Sequence, residues 1–113
     1  MPASMNPLEE IEDWAFHGFA NLVHVQTHNR IRKIGKWAFY GCTSLPRIDI
    51  KSVVEIDDHG FYGCEKLQFV EFGDKLESIG PVAFFTCPIE QLKLPSVVSI
   101  GQRAFAYCKS LFS

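Results

Sequence analysis

The amino-acid sequence predicts an α/β solenoid of about five stacked copies of a 21–23-residue unit, with short parallel strands on one face and short helical turns opposite. Two recurrences carry this reading. An Ala/Gly-Phe pair returns at Ala15-Phe16, Ala38-Phe39, Gly60-Phe61, Ala83-Phe84 and Ala104-Phe105, at spacings of 23, 22, 23 and 21 residues. An alternating aliphatic run follows four of the copies: Leu22-x-x-Val25, Leu45-x-x-Ile48-x-Ile50, Leu67-x-x-Val70-x-Phe72 and Ile89-x-x-Leu92-x-Leu94.

Each unit opens on an Ile four residues before the Ala/Gly, at Ile11, Ile34, Ile56, Ile79 and Ile100. Ala, Phe and Cys then follow at helical offsets, as in Ala38, Phe39 and Cys42, which predicts a short helical turn. Gly35, Asp57, Gly80 and Gly101 suit a helix N-cap, and Pro81 falls where a first helical position tolerates proline. Thr43-Ser44, Glu65-Lys66 and Lys109-Ser110 form exposed turns into the next segment. The alternating runs read as strands with one buried face. No unit can bury both its strand face and its Phe alone, so neighbours supply the burial.

The ends differ from the middle. Residues 1–10 form an N-terminal extension and residues 11–113 a single-domain array. The first copy carries Phe19 in place of Cys and a long link, Gln26-Thr27-His28-Asn29-Arg30, which suits an atypical terminal repeat. Leu111-Phe112-Ser113 stands where a fifth strand would begin, with no evident C-terminal cap, so Leu111 and Phe112 are expected to leave an apolar assembly edge.

The run Ile34-Gly35-Lys36-Trp37-Ala38-Phe39-Tyr40-Gly41-Cys42-Thr43-Ser44-Leu45, with its counterpart from Ile100 to Leu111, resembles the BspA-like leucine-rich repeat. The resemblance extends from Ile11 onward. It implies a right-handed leucine-rich-repeat solenoid with a parallel sheet on one face, used for adhesion and protein binding, often on cell surfaces, and it brings no catalytic residues. Two departures stand out. Asp57 and Gly60 replace the usual Gly and Ala in the third copy, and Pro88-Ile89 shortens the fourth turn by one residue.

Composition narrows the function classes. In 113 residues, 47% are hydrophobic and 21% charged, ordinary globular usage for one domain. Eleven basic against thirteen acidic residues leave a formal charge of −2, which gathers neither nucleic acid nor anionic lipid. No apolar stretch approaches the roughly 18–20 residues that span a bilayer, and Met1 to Glu10 lacks a basic segment followed by an apolar run. The expectation is no membrane insertion and a cytoplasmic chain, or a cell-surface one if the sequence is a fragment.

Four cysteines, Cys42, Cys64, Cys87 and Cys108, recur once per copy, which predicts a buried ladder, with reduced thiols favoured and a bridge between adjacent copies geometrically open; zinc would want pairs at C-x₂₋₄-C spacing. His24 and His28 lie four apart in a strand-then-link segment that does not suit a metal. No nucleophile elbow or phosphate-binding glycine loop is present, so no enzyme activity and no cofactor are expected. Gly41 and Gly63 are read as loosening the end of each turn, and His17, Tyr40, Tyr62 and Phe85 as a packing column.

With Leu45, Ile48 and Ile50 inward, the intervening strand residues face out and stack into ladders. One is His24, Arg47, Phe69 and Gln91; the next is Gln26, Asp49, Glu71 and Lys93. This charge-mixed surface with one aromatic suits a protein or peptide partner, with Arg47 and Phe69 as anchors. The alternative expectation is a structural subunit that self-associates, or docks into a larger complex, through its C-terminal edge.

Overall fold

The computed structural model describes residues 9–111 as a stack of repeated turns held by two parallel ladders. The longer ladder pairs β1 (Glu10–Ile11), β2 (Lys33–Ile34), β4 (Glu55–Ile56), β6 (Ser78–Ile79) and β7 (Ser99–Ile100) in that order, Ile over Ile. The shorter one pairs β3 (Arg47–Asp49) with β5 (Phe69–Glu71), placing Arg47 beside Phe69 and Asp49 beside Glu71. The solenoid is therefore as expected, but its main ladder runs along the Ile column that sequence patterning assigned to the start of a helical turn.

Two of the four alternating runs form strands. In the other two, Leu22, Val25, Leu92 and Leu94 are half-buried against the core, yet no ladder forms. The fourth run is reached through Cys87-Pro88-Ile89, one residue shorter than Cys64-Glu65-Lys66-Leu67, and closes on Pro95. Among the described residues, its only backbone bond to the preceding unit is Glu90 N–H to Gln68 O at 3.4 Å.

The expected helical turns are instead runs of tight turns, and no α-helix occurs among the described residues. In the second unit, Ala38, Tyr40 and Cys42 donate three residues back, to Gly35, Trp37 and Phe39, each at 3.2 Å. Trp37, Phe39 and Gly41 donate across to the next unit, to Asp58, Gly60 and Tyr62 at 3.1, 2.8 and 2.9 Å. Every second N–H thus leaves its own turn, and an i to i−4 ladder cannot propagate. Left-handed residues at two repeating columns shape the turns: Trp14, Trp37, His59, Val82 and Arg103 in one, Gly18, Gly41, Gly63, Thr86 and Tyr107 in the other. Gly41 and Gly63 thus supply a positive φ rather than looseness. Nor does Gly35 cap a helix: a Cβ there would lie 2.6 Å from the Asp13 nitrogen, so the column keeps neighbouring turns in close approach.

The core is a set of columns. Phe39, Phe61 and Phe84 are fully buried, and the Phe16–Phe39–Phe61–Phe84–Phe105 rings stack at 5.2, 5.1, 5.1 and 5.3 Å. A second column that sequence reading did not single out stacks Trp14 on Trp37 at 5.1 Å and Trp37 on His59 at 3.7 Å. Tyr62 stacks on Phe85 at 4.8 Å, in keeping with a packing role for that column.

All four cysteines are free. The thiols of Cys42, Cys64, Cys87 and Cys108 donate to the carbonyls of Phe16, Phe39, Phe61 and Phe84 in the preceding units, at 3.2, 3.1, 3.1 and 3.1 Å. Burial pushes the Cys42 thiol up to about 12 and the half-buried Cys108 to about 11. Burial, then the adjacent Cys64, also raises Cys87 well above its ordinary value. An acid whose pKa is raised by folding stabilises the fold below its unfolded pKa, near 9 here, and loses that contribution as pH rises through the folded value. The unfolding free energy obtained from urea titration should therefore fall between pH 9 and 11, by up to about 1.4 kcal/mol per pH unit for each of Cys42 and Cys87. A Cys42→Ala/Cys87→Ala variant should show a shallower fall; an identical slope would remove these two thiols as its source.

Candidate functional site

The two ladders give the molecule a strand face. Ile48 and Ile50 on one side of β3, and Phe72 just after β5, are buried, so Arg47, Asp49, Phe69 and Glu71 are directed outward by alternation. Arg47 and Phe69, in register, form a cation–π pair with the guanidinium carbon 5.4 Å from the ring centroid. Phe69 nonetheless remains 46% exposed, the largest apolar group presented by this face. Asp49 and Glu71 stand side by side in the next register position, and Lys51 Nζ lies 3.7 Å from Asp49 Oδ2.

His24, Gln26, Arg47, Asp49, Phe69 and Glu71 line one hollow of about 350 Å³ together with Val25, Thr27 and Ile48. Six of the eight expected surface residues thus meet around a single depression. Gln91 lies at a neighbouring hollow of about 230 Å³ that shares Phe69 and Glu71. Lys93 joins Gln91 and Glu71 at a third, further along the stack. Sequence reading missed Thr27, whose hydroxyl donates to the Asp49 carbonyl at 2.6 Å and fixes the 26–30 link against β3. It also missed Lys51 and Lys75, which line a further hollow beside Asp49 with His28 and Asn29. The only sequence signal for these was the length of that link.

On the Ile ladder, Lys33 lies between Glu10 and Glu55 in register, and its Nζ is 3.5 Å from Asp57 Oδ2. Burial opposes its charge, but Glu55, Asp57 and Glu10 outweigh that and raise its pKa above 10.5. His59 Nδ1 pairs with Asp58 Oδ1. Among the described residues, no three His, Cys, Asp or Glu side chains gather as a metal set, and no helix is long and apolar enough to cross a membrane.

At the C-terminal edge, Leu111 is half-buried and its N–H bonds to Cys108 O at 3.2 Å, while Phe112 lies outside the described residues. The apolar groups exposed near this edge are Val98, Ile100 and Tyr107, at 85%, 53% and 68%.

Comparison with known proteins fits this architecture. The chain is similar to a leucine-rich repeat protein of Bacteroides ovatus, with 36% identity, a TM-score of 0.85, and coverage of 90% of this chain and 27% of that one. It is also similar to a leucine-rich repeat protein of Treponema pallidum, with 38% identity, a TM-score of 0.86, and coverage of 90% of this chain and 49% of that one. The chain thus spans about a quarter and about half the length of these two solved structures. No curated protein matches it. Leucine-rich-repeat proteins commonly mediate protein–protein interaction or adhesion, and the fold is typically non-enzymatic. The BspA type leucine rich repeat region matches residues 3–112 in six copies, and the chain belongs to that family.

Proposed function

We propose that this chain is an interaction module that binds a protein or peptide across its strand face, with Arg47 and Phe69 as the anchors and His24, Gln26, Asp49, Glu71, Gln91 and Lys93 around them. The observation that carries this reading is the in-register Arg47–Phe69 pair at the largest exposed apolar group of the face, beside a hollow of about 350 Å³. Aromatic and Arg side chains dominate interface energetics, and a flat pair that is already ordered loses little entropy on binding. Mixed charge around it favours a polypeptide over a polyanion.

The test is affinity capture from the source cell with wild type and an Arg47→Ala/Phe69→Ala double variant, followed by titration of the captured partner. Both side chains are exposed, so the variant should keep its urea midpoint. Its Kd should weaken roughly thirtyfold, the equivalent of about 2 kcal/mol. A partner held equally well by the double variant moves the binding site off this face. The C-terminal edge is a second docking place. What favours it is the exposure of Val98, Ile100 and Tyr107 together on the last described turn.

A further inference from the structure

We infer that the hollow between β5 and the fourth alternating run receives one arginine side chain of the partner. This rests on the reading of the strand face as the binding surface, and adds to it the chemistry that the partner presents there.

The hollow follows from the sequence of the fourth unit. In a parallel pair, successive residues direct their backbone groups to opposite edges of a strand. Phe69 N–H donates to Pro46 O and Glu71 O accepts from Ile50 N–H, so these two residues are bonded toward β3 and Val70 is left facing the fourth unit. There the short Cys87-Pro88-Ile89 turn is followed by the single bond from Glu90 N–H to Gln68 O, and among the described residues Leu92 makes no backbone bond to Val70. The unlaced stretch holds a hollow of about 230 Å³ lined by Phe69, with Gln68 and Glu71 from one unit and Glu90 and Gln91 from the next. This lies below the roughly 300 Å³ at which small-molecule pockets begin, so it suits one side chain rather than a free ligand.

The charge of the lining selects a cation. It carries two carboxylates and no Lys, Arg or His. Neither Glu71 nor Glu90 forms an ion pair among the described residues, in contrast to Asp49, which has the Lys51 ammonium 3.7 Å away. Gln68 Nε2 donates to Glu90 Oε2 at 3.4 Å, which orients one of the two carboxylates, and the Gln91 amide brings a further carbonyl acceptor. A basic side chain placed here meets two negative charges that no ion pair of the chain neutralises, whereas an acidic one is repelled.

Phe69 narrows the cation to arginine. Its ring already takes one guanidinium, that of Arg47 on the β3 side, and is still 46% exposed. A guanidinium is planar, stacks on an aromatic face and presents its N–H donors to a carboxylate two at a time. Its alkyl stem covers apolar surface while the head reaches charge. A compact ammonium stacks poorly and makes no paired bond. The ring thus stands between the chain's own arginine and the partner's, and Asp49 and Glu71 in the next register position offset the repulsion between the two cations.

Amide proton–nitrogen correlation spectra of the full chain test this, titrated with acetyl-Gly-Arg-Gly-amide and with the same peptide carrying citrulline, the neutral isostere of arginine. The arginine peptide should give saturable shifts centred on Phe69, Glu71, Glu90 and Gln91, with a Kd on the order of 1 mM. The citrulline peptide should leave those signals in place. Glu71→Gln/Glu90→Gln should weaken the arginine peptide at least about tenfold, while unchanged signals elsewhere show that the variant is folded. Equal shifts from the two peptides, undiminished binding by the variant, or no saturable shift in wild type each overturn the inference. Affinity capture separates this from the reading beneath it. A partner lost by Arg47→Ala/Phe69→Ala but held equally well by Glu71→Gln/Glu90→Gln overturns the arginine receptacle and leaves the strand face as the binding surface.

Discussion

Phe61→Ala is expected to lose about 3–5 kcal/mol of unfolding free energy, enough to unfold a marginally stable domain. Phe61 is fully buried, with Phe39 and Phe84 stacked on its two faces at 5.1 Å each. A truncation there opens a cavity that belongs to two repeat interfaces at once. In a stack whose stability is close to a sum of nearest-neighbour terms, both interfaces weaken together. Phe105 provides the internal comparison. It stacks on a single ring, Phe84, at 5.3 Å and is only half-buried, so Phe105→Ala should lose less than half as much. Urea denaturation of the two variants measures the difference. A loss below about 1 kcal/mol at Phe61 would mean that the column does not carry the stack.

The Phe column was legible because it satisfies a strong rule: an apolar residue that recurs at one period must be buried by its neighbours. The Cys column was legible for the same reason. The nature of the turn was not. Ala38, Phe39 and Cys42 sit at helical offsets, and the offsets are real, but they describe three-residue turns bonded at 3.2 Å rather than a helix. What overrides the helix is tertiary: the intervening N–H groups of Trp37, Phe39 and Gly41 are drawn to the next unit. Nothing in the local sequence of Trp37 announces a φ of 59°, since left-handed backbone at a bulky residue is held by context. The Ile ladder was half-visible. Glu10-Ile11, Lys33-Ile34, Glu55-Ile56, Ser78-Ile79 and Ser99-Ile100 repeat a polar-then-Ile pair, but two residues are too few for alternation to register as a strand.

The strand face was read more fully, because a period of two fixes which side of β3 and β5 a residue occupies once its neighbours are assigned inward. That logic placed Arg47, Phe69, Asp49 and Glu71 outward without knowledge of the strand ends. It could not supply Thr27 or Lys51. Their positions follow from how the 26–30 link folds back and from a turn after β3, neither of which has a period.

Gly73→Ala is expected to lose about 2–4 kcal/mol, and to disturb the strand face as it does so. Gly73 has a φ of +73°, and a Cβ placed on it would lie 2.4 Å from the Lys51 carbonyl oxygen and 2.7 Å from the Lys51 Cα. Both obstacles are backbone, so no side-chain rotation relieves them. Gly18 isolates the other contribution. Its φ is +76°, yet nothing lies within 4 Å of its Cβ position, so Gly18→Ala should show only the left-handed cost of about 1 kcal/mol. The excess at Gly73 then measures the stiffness of the segment at Lys51. That segment matters for binding, because the Lys51 N–H donates to Asp49 Oδ1 at 3.0 Å and the adjacent Ile50 N–H donates to Glu71 O at 3.0 Å. Pushing Lys51 away pulls on Asp49 and on the β3–β5 pairing beneath Arg47 and Phe69. Gly73→Ala should therefore weaken capture of a strand-face partner under conditions where the variant is still folded, whereas Gly18→Ala should not. Equal urea midpoints for the two variants would show that the Lys51 backbone yields freely, and would remove the rigidity on which the Arg47–Phe69 anchor depends.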